Sequence, residues 1–250
     1  MLATTVLHEA HPAVFAPMPP RAQSCRTCPA RNKTVCGAAP REALDRLAGF
    51  SAPQTLAAGE TFVAEGDRAT HFFAITAGSV KVFKLLPDGR RQVTGFLFQG
   101  DFLGLAFNDS YTYSAEALTD TTVCRMPRQQ FEGVIGAYPV MERRLLAMAS
   151  NELAAAQEQM VMLGRKTAQE RVASFLLGLI RRQERLGRDG KAIRLTMTRT
   201  DIADYLGLTT ETVSRTFTGL RAAGHIELDG TTLVRVLDRD ALQQIAEMAA

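Results

Sequence analysis

The chain has 250 residues, of which 46% are apolar and 22% are charged, and this length suits one large or two ordinary globular domains. The apolar content excludes a disordered chain. No apolar run reaches the roughly 18 residues of a membrane span, and no basic segment followed by an apolar one begins the chain, so we expect a cytoplasmic protein with no membrane partner. The net charge is +3, and the basic excess lies within residues 165–250, which weakly favours a polyanionic partner.

The N-terminal region is defined by prolines and cysteines. Residues 1–24 are proline-containing and show no periodicity, so we expect a flexible extension. Cys25, Cys28 and Cys36 follow with the spacing Cys-x2-Cys-x7-Cys, and Cys124 is the fourth cysteine. Four cysteines are too few for a disulfide framework in 250 residues, so the group indicates metal or redox chemistry. Four thiolates can hold an iron–sulfur cluster or a zinc ion, and their spacing does not separate these.

A short helix and then a β-rich region are predicted after the cysteines. Pro40 suits a first helical turn, and Leu44, Leu47 and Ala48 share one helical face. Within residues 51–128, β-branched and aromatic runs alternate with glycine turns, which predicts an antiparallel sandwich or roll. The runs are 61–63, 72–75, 80–83 and 93–96, with a Pro87-Asp88-Gly89 hairpin signal between the last two.

The apolar period becomes helical from Pro139 onwards. Uncharged residues recur at alternating spacings of three and four, which is typical of a coiled-coil dimer seam. These seam residues are Leu146, Ala149, Leu153, Ala156, Met160 and Leu163. The alternative is an amphipathic helix buried against its own domain, and Leu145, Val161 and Met162 widen the apolar face enough for both arrangements. A further helix is predicted over 167–186, ending near Gly187.

A helix-turn-helix is predicted next. Residues 199–206 have the apolar spacing of a short helix, and Gly207 supplies the turn. The second helix begins near Thr210, and its first exposed side chains form a base-reading set. That set is Thr210, Glu211, Ser214 and Arg215. Arg215 can bond guanine with two hydrogen bonds and Glu211 can accept from cytosine, whereas the alternative is an ion pair between them on a solvated helix face.

A β wing is predicted after these helices. Residues 226–228 and 231–234 are β runs, and the Asp229-Gly230 pair between them is typical of a two-residue hairpin. A hairpin at this place would complete a winged helix-turn-helix.

The winged helix resembles that of the Crp/Fnr superfamily of transcription regulators, in particular its FNR/FnrL/FixK-like branch. Residues 195–202, residues 205–209 and the Glu211-x-x-Ser214-Arg215 motif carry the resemblance. It implies an α+β fold with a cyclic-nucleotide-binding-like antiparallel β-roll, a long coiled-coil dimerisation helix and a C-terminal winged helix-turn-helix. The implied division is an extension at 1–24, a cluster-binding loop and β-roll at 25–138, a dimerisation helix at 139–165 and a DNA-binding domain at 166–250.

The resemblance also implies a function. It points to an oxygen-responsive activator that binds double-stranded DNA as a homodimer, at inverted repeats such as TTGAT-N4-ATCAA, and acts with RNA polymerase on anaerobic or microaerobic genes. In that branch three N-terminal cysteines and one from the roll hold an oxygen-labile [4Fe-4S] cluster, which would make Cys25, Cys28, Cys36 and Cys124 its ligands. The alternative is a zinc-stabilised or cluster-free regulator that binds DNA constitutively.

Two other function classes are disfavoured. The related cyclic-nucleotide branch pairs the phosphate with the arginine of an Arg-Ser-Ala triplet, whereas this chain has Tyr113-Ser114-Ala115, so the phosphate would lack its cationic partner. We therefore expect no cyclic nucleotide. The chain also has no nucleotide-binding glycine loop and no HExxH motif, and we expect it not to be an enzyme.

Overall fold

The computed structural model describes residues 25–104, 109–185, 187 and 189–247, so the extension predicted at 1–24 lies outside the described residues. Two short 3-10 turns, Arg31–Lys33 and Val35–Ala38, come first. The helices and strands then follow as α1 (Arg41–Phe50), β1 (Ala52–Leu56), β2 (Thr61–Val63), β3 (His71–Ala77), β4 (Ser79–Leu85), β5 (Arg91–Phe98), β6 (Phe102–Leu103), β7 (Ser114–Ala117), β8 (Thr121–Pro127), α2 (Arg128–Ala137), α3 (Pro139–Arg165), α4 (Ala168–Arg185), β9 (Ala192–Arg194), α5 (Arg199–Leu206), α6 (Thr210–Ala222), β10 (Ile226–Asp229), β11 (Leu233–Val236) and α7 (Arg239–Glu247). This order confirms the predicted α+β fold.

The β-rich part is a roll of two four-stranded antiparallel sheets, with strand orders β1-β8-β3-β6 and β2-β7-β4-β5. Ile75, Val80 and Val123 are fully buried in the apolar core of this roll. All four predicted β runs lie within strands, at 61–63, 72–75, 80–83 and 93–96. Gly89 closes the predicted turn between β4 and β5 with a φ of 83°, a conformation that glycine adopts without steric cost.

A second apolar cluster lies on the other face of the β1-β8-β3-β6 sheet. Because successive side chains of a strand point to opposite faces, Phe73 and Ile75 belong to the core of the roll while Phe72 and Ala74 belong to this second cluster. Helices α1, α2 and the start of α3 cover it. In α1, Leu44 and Leu47 are buried as predicted, but Ala48 is exposed.

The C-terminal part forms its own apolar core from α4 to α7 and a three-stranded sheet of order β10-β11-β9. Helix α5 has the predicted bounds because Thr198 and Asp201 form a capping box at its start, and Gly207 ends it with a φ of 62°. Helix α6 begins at Thr210, where the Thr209 side chain accepts a hydrogen bond from the N–H of Thr212.

The wing differs from its prediction in one respect. Asp229 pairs with Leu233 as the last residue of β10, so residues 230–232 form a three-residue turn instead of a two-residue one. Gly230 takes a φ of 62° in that turn, which is typical of the longer hairpin loops that place glycine in the left-handed region. Thr231 and Thr232 therefore belong to the turn and not to the strand.

Candidate cysteine centre and nucleic-acid interface

The structure brings the four cysteines to one place. Cys25 and Cys28 precede the first 3-10 turn, Cys36 lies in the second, and Cys124 lies in β8 opposite Pro53 of β1 and Ala74 of β3. All four line a single cavity between these turns, α1 and the β1-β8-β3 face of the sheet. Segments nearly 90 residues apart in sequence thus place their thiols together.

Burial raises the pKa of the Cys25, Cys36 and Cys124 thiols above the usual value for cysteine. Burial is the main cause that raises the pKa of Cys36 to about 11 and the pKa of Cys124 to about 12. The neighbouring Cys25, Cys36 and Cys28 side chains raise the pKa of Cys124 further. A thiolate at Cys124 would be repelled by negative charge on these neighbouring sulfurs. A metal binds the deprotonated thiolate, and the thiol proton is released when it binds. A bound cation would therefore lower the raised pKa values of these thiols.

The four thiols could bind either a single metal ion or a cluster. A zinc ion takes its sulfur ligands at about 2.3 Å from the metal, whereas a cluster takes each thiolate to a different iron. In the arrangement that the structure describes, no group of three or more His, Cys, Asp or Glu side chains meets the geometry of a bound metal ion. This arrangement therefore favours neither kind of centre over the other.

Two hydroxyl groups contact the cysteines, and sequence reasoning missed both. Ser51, the residue after α1, places its Oγ 3.8 Å from the Sγ of Cys25, and it also donates to the carbonyl of Leu47. Buried Thr34 accepts the backbone N–H of Cys36 at 3.2 Å. The Thr34 hydroxyl fixes the backbone of Cys36 and the Ser51 hydroxyl contacts the sulfur of Cys25, and no spacing rule in the sequence identifies them.

The predicted base-reading residues form one exposed face of α6. Thr210, Glu211, Ser214 and Arg215 are all exposed, while Val213 and Phe217 on the opposite side are buried. The Ser214 hydroxyl donates to the Thr210 carbonyl at 2.9 Å. At the start of this face the Thr210 hydroxyl donates to the Thr200 hydroxyl of α5 at 3.5 Å.

The ion pair that was the alternative explanation of this face is present but loose. Arg215 Nη1 and Glu211 Oε1 are 3.7 Å apart, and both side chains are more than 70% exposed. Such a pair contributes about 0–1 kcal/mol, so DNA could separate it at little cost. The geometry is compatible with both the stabilising and the base-reading roles.

Most of the predicted seam residues are exposed on α3. Leu146, Leu153 and Met160 are 61%, 60% and 68% exposed. In the described chain, Met141 and Met162 near the two ends of α3 are its only buried residues. Helix α3 is therefore anchored at both ends while Leu146, Leu153 and Met160 between them face outwards, and Ala149 and Leu163 are half-buried against the same chain.

Tyr113 lies where the resemblance to the cyclic-nucleotide branch would require arginine. Its hydroxyl accepts the backbone N–H of Gly104 at 2.9 Å, and burial raises the pKa of Tyr113 to about 12. A neutral phenol thus occupies this part of the roll and takes up one of its backbone donors. No helix among the described residues has the length and apolar character needed to cross a bilayer.

Comparison with known proteins gives two matches to family models. Residues 53–138 match the cyclic nucleotide-binding domain, and residues 170–245 match the Crp-like helix-turn-helix domain.

Curated relatives match over most of both chains. The nitrogen fixation regulation protein FixK of Bradyrhizobium diazoefficiens is 40% identical over 84% of this chain and 88% of its own length. The transcriptional activatory protein AadR of Rhodopseudomonas palustris is 42% identical, covering 89% and 93%. The transcriptional activator protein FnrL of Cereibacter sphaeroides is 37% identical, covering 86% and 88%. Among solved structures, FixK2 from Bradyrhizobium japonicum matches with a TM-score of 0.75 at 37% identity, covering 80% of this chain and 100% of that one.

Proposed function

The chain belongs to the FixK/FnrL-like branch of the Crp/Fnr family of DNA-binding transcription regulators, and from this premise we propose that it is an oxygen-responsive activator that senses through a [4Fe-4S] cluster. In this proposal the thiolates of Cys25, Cys28, Cys36 and Cys124 bind the cluster. Two copies then bind inverted repeats such as TTGAT-N4-ATCAA and act with RNA polymerase. The division at residues 25–138, 139–165 and 166–250 assigns sensing, dimerisation and DNA binding to successive parts of the chain.

One observation carries the cluster assignment: all four cysteines of the chain line the same cavity. Four thiolates satisfy the ligand number of a [4Fe-4S] cluster. When bound, the cluster would supply an oxygen-labile group, and the protein's part is to hold its N-terminal turns against β8.

The placement of the cysteine turns supports a link between sensing and dimerisation. The turn Val35–Ala38, which contains Cys36, contacts α3. Val35 is buried in the same apolar cluster as Met141 at the start of α3. A centre that fixes this turn would therefore also fix the start of the helix whose exposed stripe we assign to pairing with a second copy.

We do not include a cyclic nucleotide among the ligands of the roll. Tyr113 supplies no positive charge to pair with a phosphate, and its hydroxyl accepts the N–H of Gly104. Compared with a roll that has arginine at this position, a phosphate bound here would lack a charge-assisted hydrogen bond, and such a bond contributes about twice as much as a neutral one.

Metal and sulfide analysis tests the cluster. Wild-type protein purified without oxygen should be brown and contain about four iron atoms and about four sulfides per chain, and both should be lost in air. Cys124→Ser should lose most of the iron and sulfide, since a serine oxygen is a harder and more basic ligand. Thr122→Ser, two residues away in β8, is the matched control and should retain them. Colourless protein that contains zinc and no sulfide would instead support the constitutive regulator.

A further inference from the structure

A buried lysine of the β-roll contacts the helix-turn-helix. Lys81 lies in β4 and is 5% exposed, and Asp201 lies in α5 and is 3% exposed. Lys81 Nζ is 3.0 Å from the Oδ1 of Asp201 and 2.9 Å from the Oε1 of Glu116 in β7. The two buried charges are 120 residues apart in sequence and join the roll to the DNA-binding part of the chain.

The carboxylate of Asp201 also begins helix α5. Its Oδ2 accepts hydrogen bonds from the backbone N–H of Thr198 at 3.0 Å and from the Thr198 hydroxyl at 2.6 Å. Burial would raise the pKa of Asp201, but the hydrogen bonds from Thr198 and Lys81 outweigh it and lower the pKa. One charged carboxylate thus caps α5 and binds the sensor strand at the same time.

Neighbouring contacts reinforce this junction. Arg91 of β5 donates to Asp201 at 3.0 Å and its Nη2 lies 2.9 Å from the Oδ2 of Asp204. The Gln92 side chain donates to the carbonyl of Asp204 at 2.7 Å. The Phe96 ring packs against that of Tyr205, with centroids 5.2 Å apart. Polar contacts from two strands therefore converge on α5 beside an aromatic contact.

A junction of this kind fixes the orientation of α5 relative to the β-roll more than it stabilises the folded chain. A buried ion pair must repay the desolvation of both charges, and well-packed apolar residues often stabilise an interface equally well. Charged hydrogen bonds have strict geometry, however. Because α5 packs on α6, a fixed direction of α5 relative to the roll also sets where the base-reading face of α6 points.

We propose that Lys81 and Asp201 are positioning residues for DNA binding, which hold each helix-turn-helix at a fixed orientation to its β-roll so that a dimer presents its two α6 helices at one defined separation. This role does not depend on the cluster. The role concerns binding to the second half-site of the operator. Once one α6 helix of the dimer has bound its half-site, the effective concentration of the second α6 helix at the other half-site depends on the separation and orientation of the two helices.

The main test compares Lys81→Met with Lys84→Met. Both residues lie in β4, but Lys84 is exposed and pairs with Glu65 at 2.7 Å, so it controls for the loss of one positive charge from the same strand. Affinities are measured for the TTGAT-N4-ATCAA duplex, for duplexes with spacers two base pairs shorter and longer, and for a duplex with one half-site. Lys81→Met should bind the N4 duplex about tenfold more weakly, show a smaller spacer preference and change little on the single half-site. Lys84→Met should match wild type.

A DNA-free measurement accompanies the binding assay. Amide hydrogen exchange of α5 and of the β4–β5 hairpin should be faster in Lys81→Met and unchanged in Lys84→Met. Arg91→Met, at the rim of the junction, should give intermediate effects and replaces Lys81→Met if that variant does not fold. If wild type does not prefer the proposed operator to a scrambled duplex, the operator assignment fails, and exchange still decides this proposal.

Two results would overturn the positioning role. One is unchanged exchange at α5 in a folded Lys81→Met protein. The other is an equal loss of affinity for the single half-site and the full operator with the spacer preference retained, since a general defect of the helix-turn-helix lowers both alike.

Discussion

Arg215 is held only weakly before DNA binds. Its 3.7 Å pair with Glu211 is largely exposed, and the side chain extends from the first turns of α6 on the same face as Ser214. Helical periodicity was enough to predict this face, because residues three and four apart on a helix lie side by side. The cysteine cavity is different in kind: the spacing of the first three thiols suggested a centre, but no local rule shows that Cys124 meets them or that Ser51 contacts Cys25.

Replacing Arg215 tests base reading. Arg215→Ala should cost about 1–3 kcal/mol per half-site and relax discrimination at one G·C pair. Titrations against operators carrying each base pair at that position measure both effects. Arg221→Ala, at the other end of α6, is the control and should keep the wild-type discrimination. If Arg215→Ala loses affinity equally for every operator, Arg215 contacts the DNA backbone and not a base.

We predict that His71 makes the stability of the roll sensitive to mild acid. Burial, with a smaller contribution from the positive charge of Arg125, lowers the pKa of His71 from 6.5 to about 4. The unfolded chain therefore binds a proton between pH 6.5 and 4 that the folded chain does not, and stability falls as the pH decreases through this window. In urea unfolding of the metal-free protein at pH 7 and pH 5, His71→Gln should lose less stability between the two pH values than wild type. An equal loss in both proteins would show that other groups cause the acid sensitivity.

Secondary-structure elements with strong local signals were predicted well. Helix α5 was found from its apolar spacing and the Gly207 turn, and the start of α6 from a threonine able to cap it; the structure adds the capping box of Thr198 and Asp201 and assigns the α6 cap to Thr209. Helices α2 and α7 and strands β1, β6, β7 and β9 were not predicted individually. Strand β9 has only three residues and is defined by its pairing with β11, and α2 is held by burial of Phe131 and Val134 against α1 and the roll, which are contacts distant in sequence.

The exposed stripe of α3 leads to a prediction about the dimer. Ala156 lies at the centre of the proposed seam, and Ala156→Asp would place two like charges opposite each other across a twofold axis, at a cost of several kcal/mol. Sedimentation of the cluster-loaded protein should show a shift from dimer to monomer. Ala155→Asp, one residue along the same helix and outside the seam, is the control and should remain dimeric. An unaltered Ala156→Asp dimer at micromolar concentration would remove this stripe from the interface.

The arrangement of the whole chain connects three places that sequence patterns treated separately. The cysteine turns contact α3, the seam of α3 faces outwards, and the roll binds α5 through Lys81 and Asp201. The contacts between the roll and α5 could not be predicted from the sequence. A lysine such as Lys81 in a strand is usually exposed to solvent, and an aspartate such as Asp201 in a first helical turn is explained by capping, so neither residue indicates a distant partner. Only the folded chain shows that the two charges meet.

This arrangement predicts that cluster binding and operator binding strengthen each other. If the cluster favours the dimer that binds DNA, linkage requires that DNA favours cluster retention by the same factor. Without oxygen, a chelator titration of the loaded protein should therefore need more chelator to remove half of the iron when the TTGAT-N4-ATCAA duplex is present than when a scrambled duplex is present. Ala156→Asp should abolish this difference, since its monomers cannot occupy both half-sites together. Should the cluster raise DNA affinity in wild type while the operator leaves iron retention unchanged, the cluster does not act through a binding equilibrium, and the proposed link from Cys36 through α3 to dimerisation and operator binding is wrong.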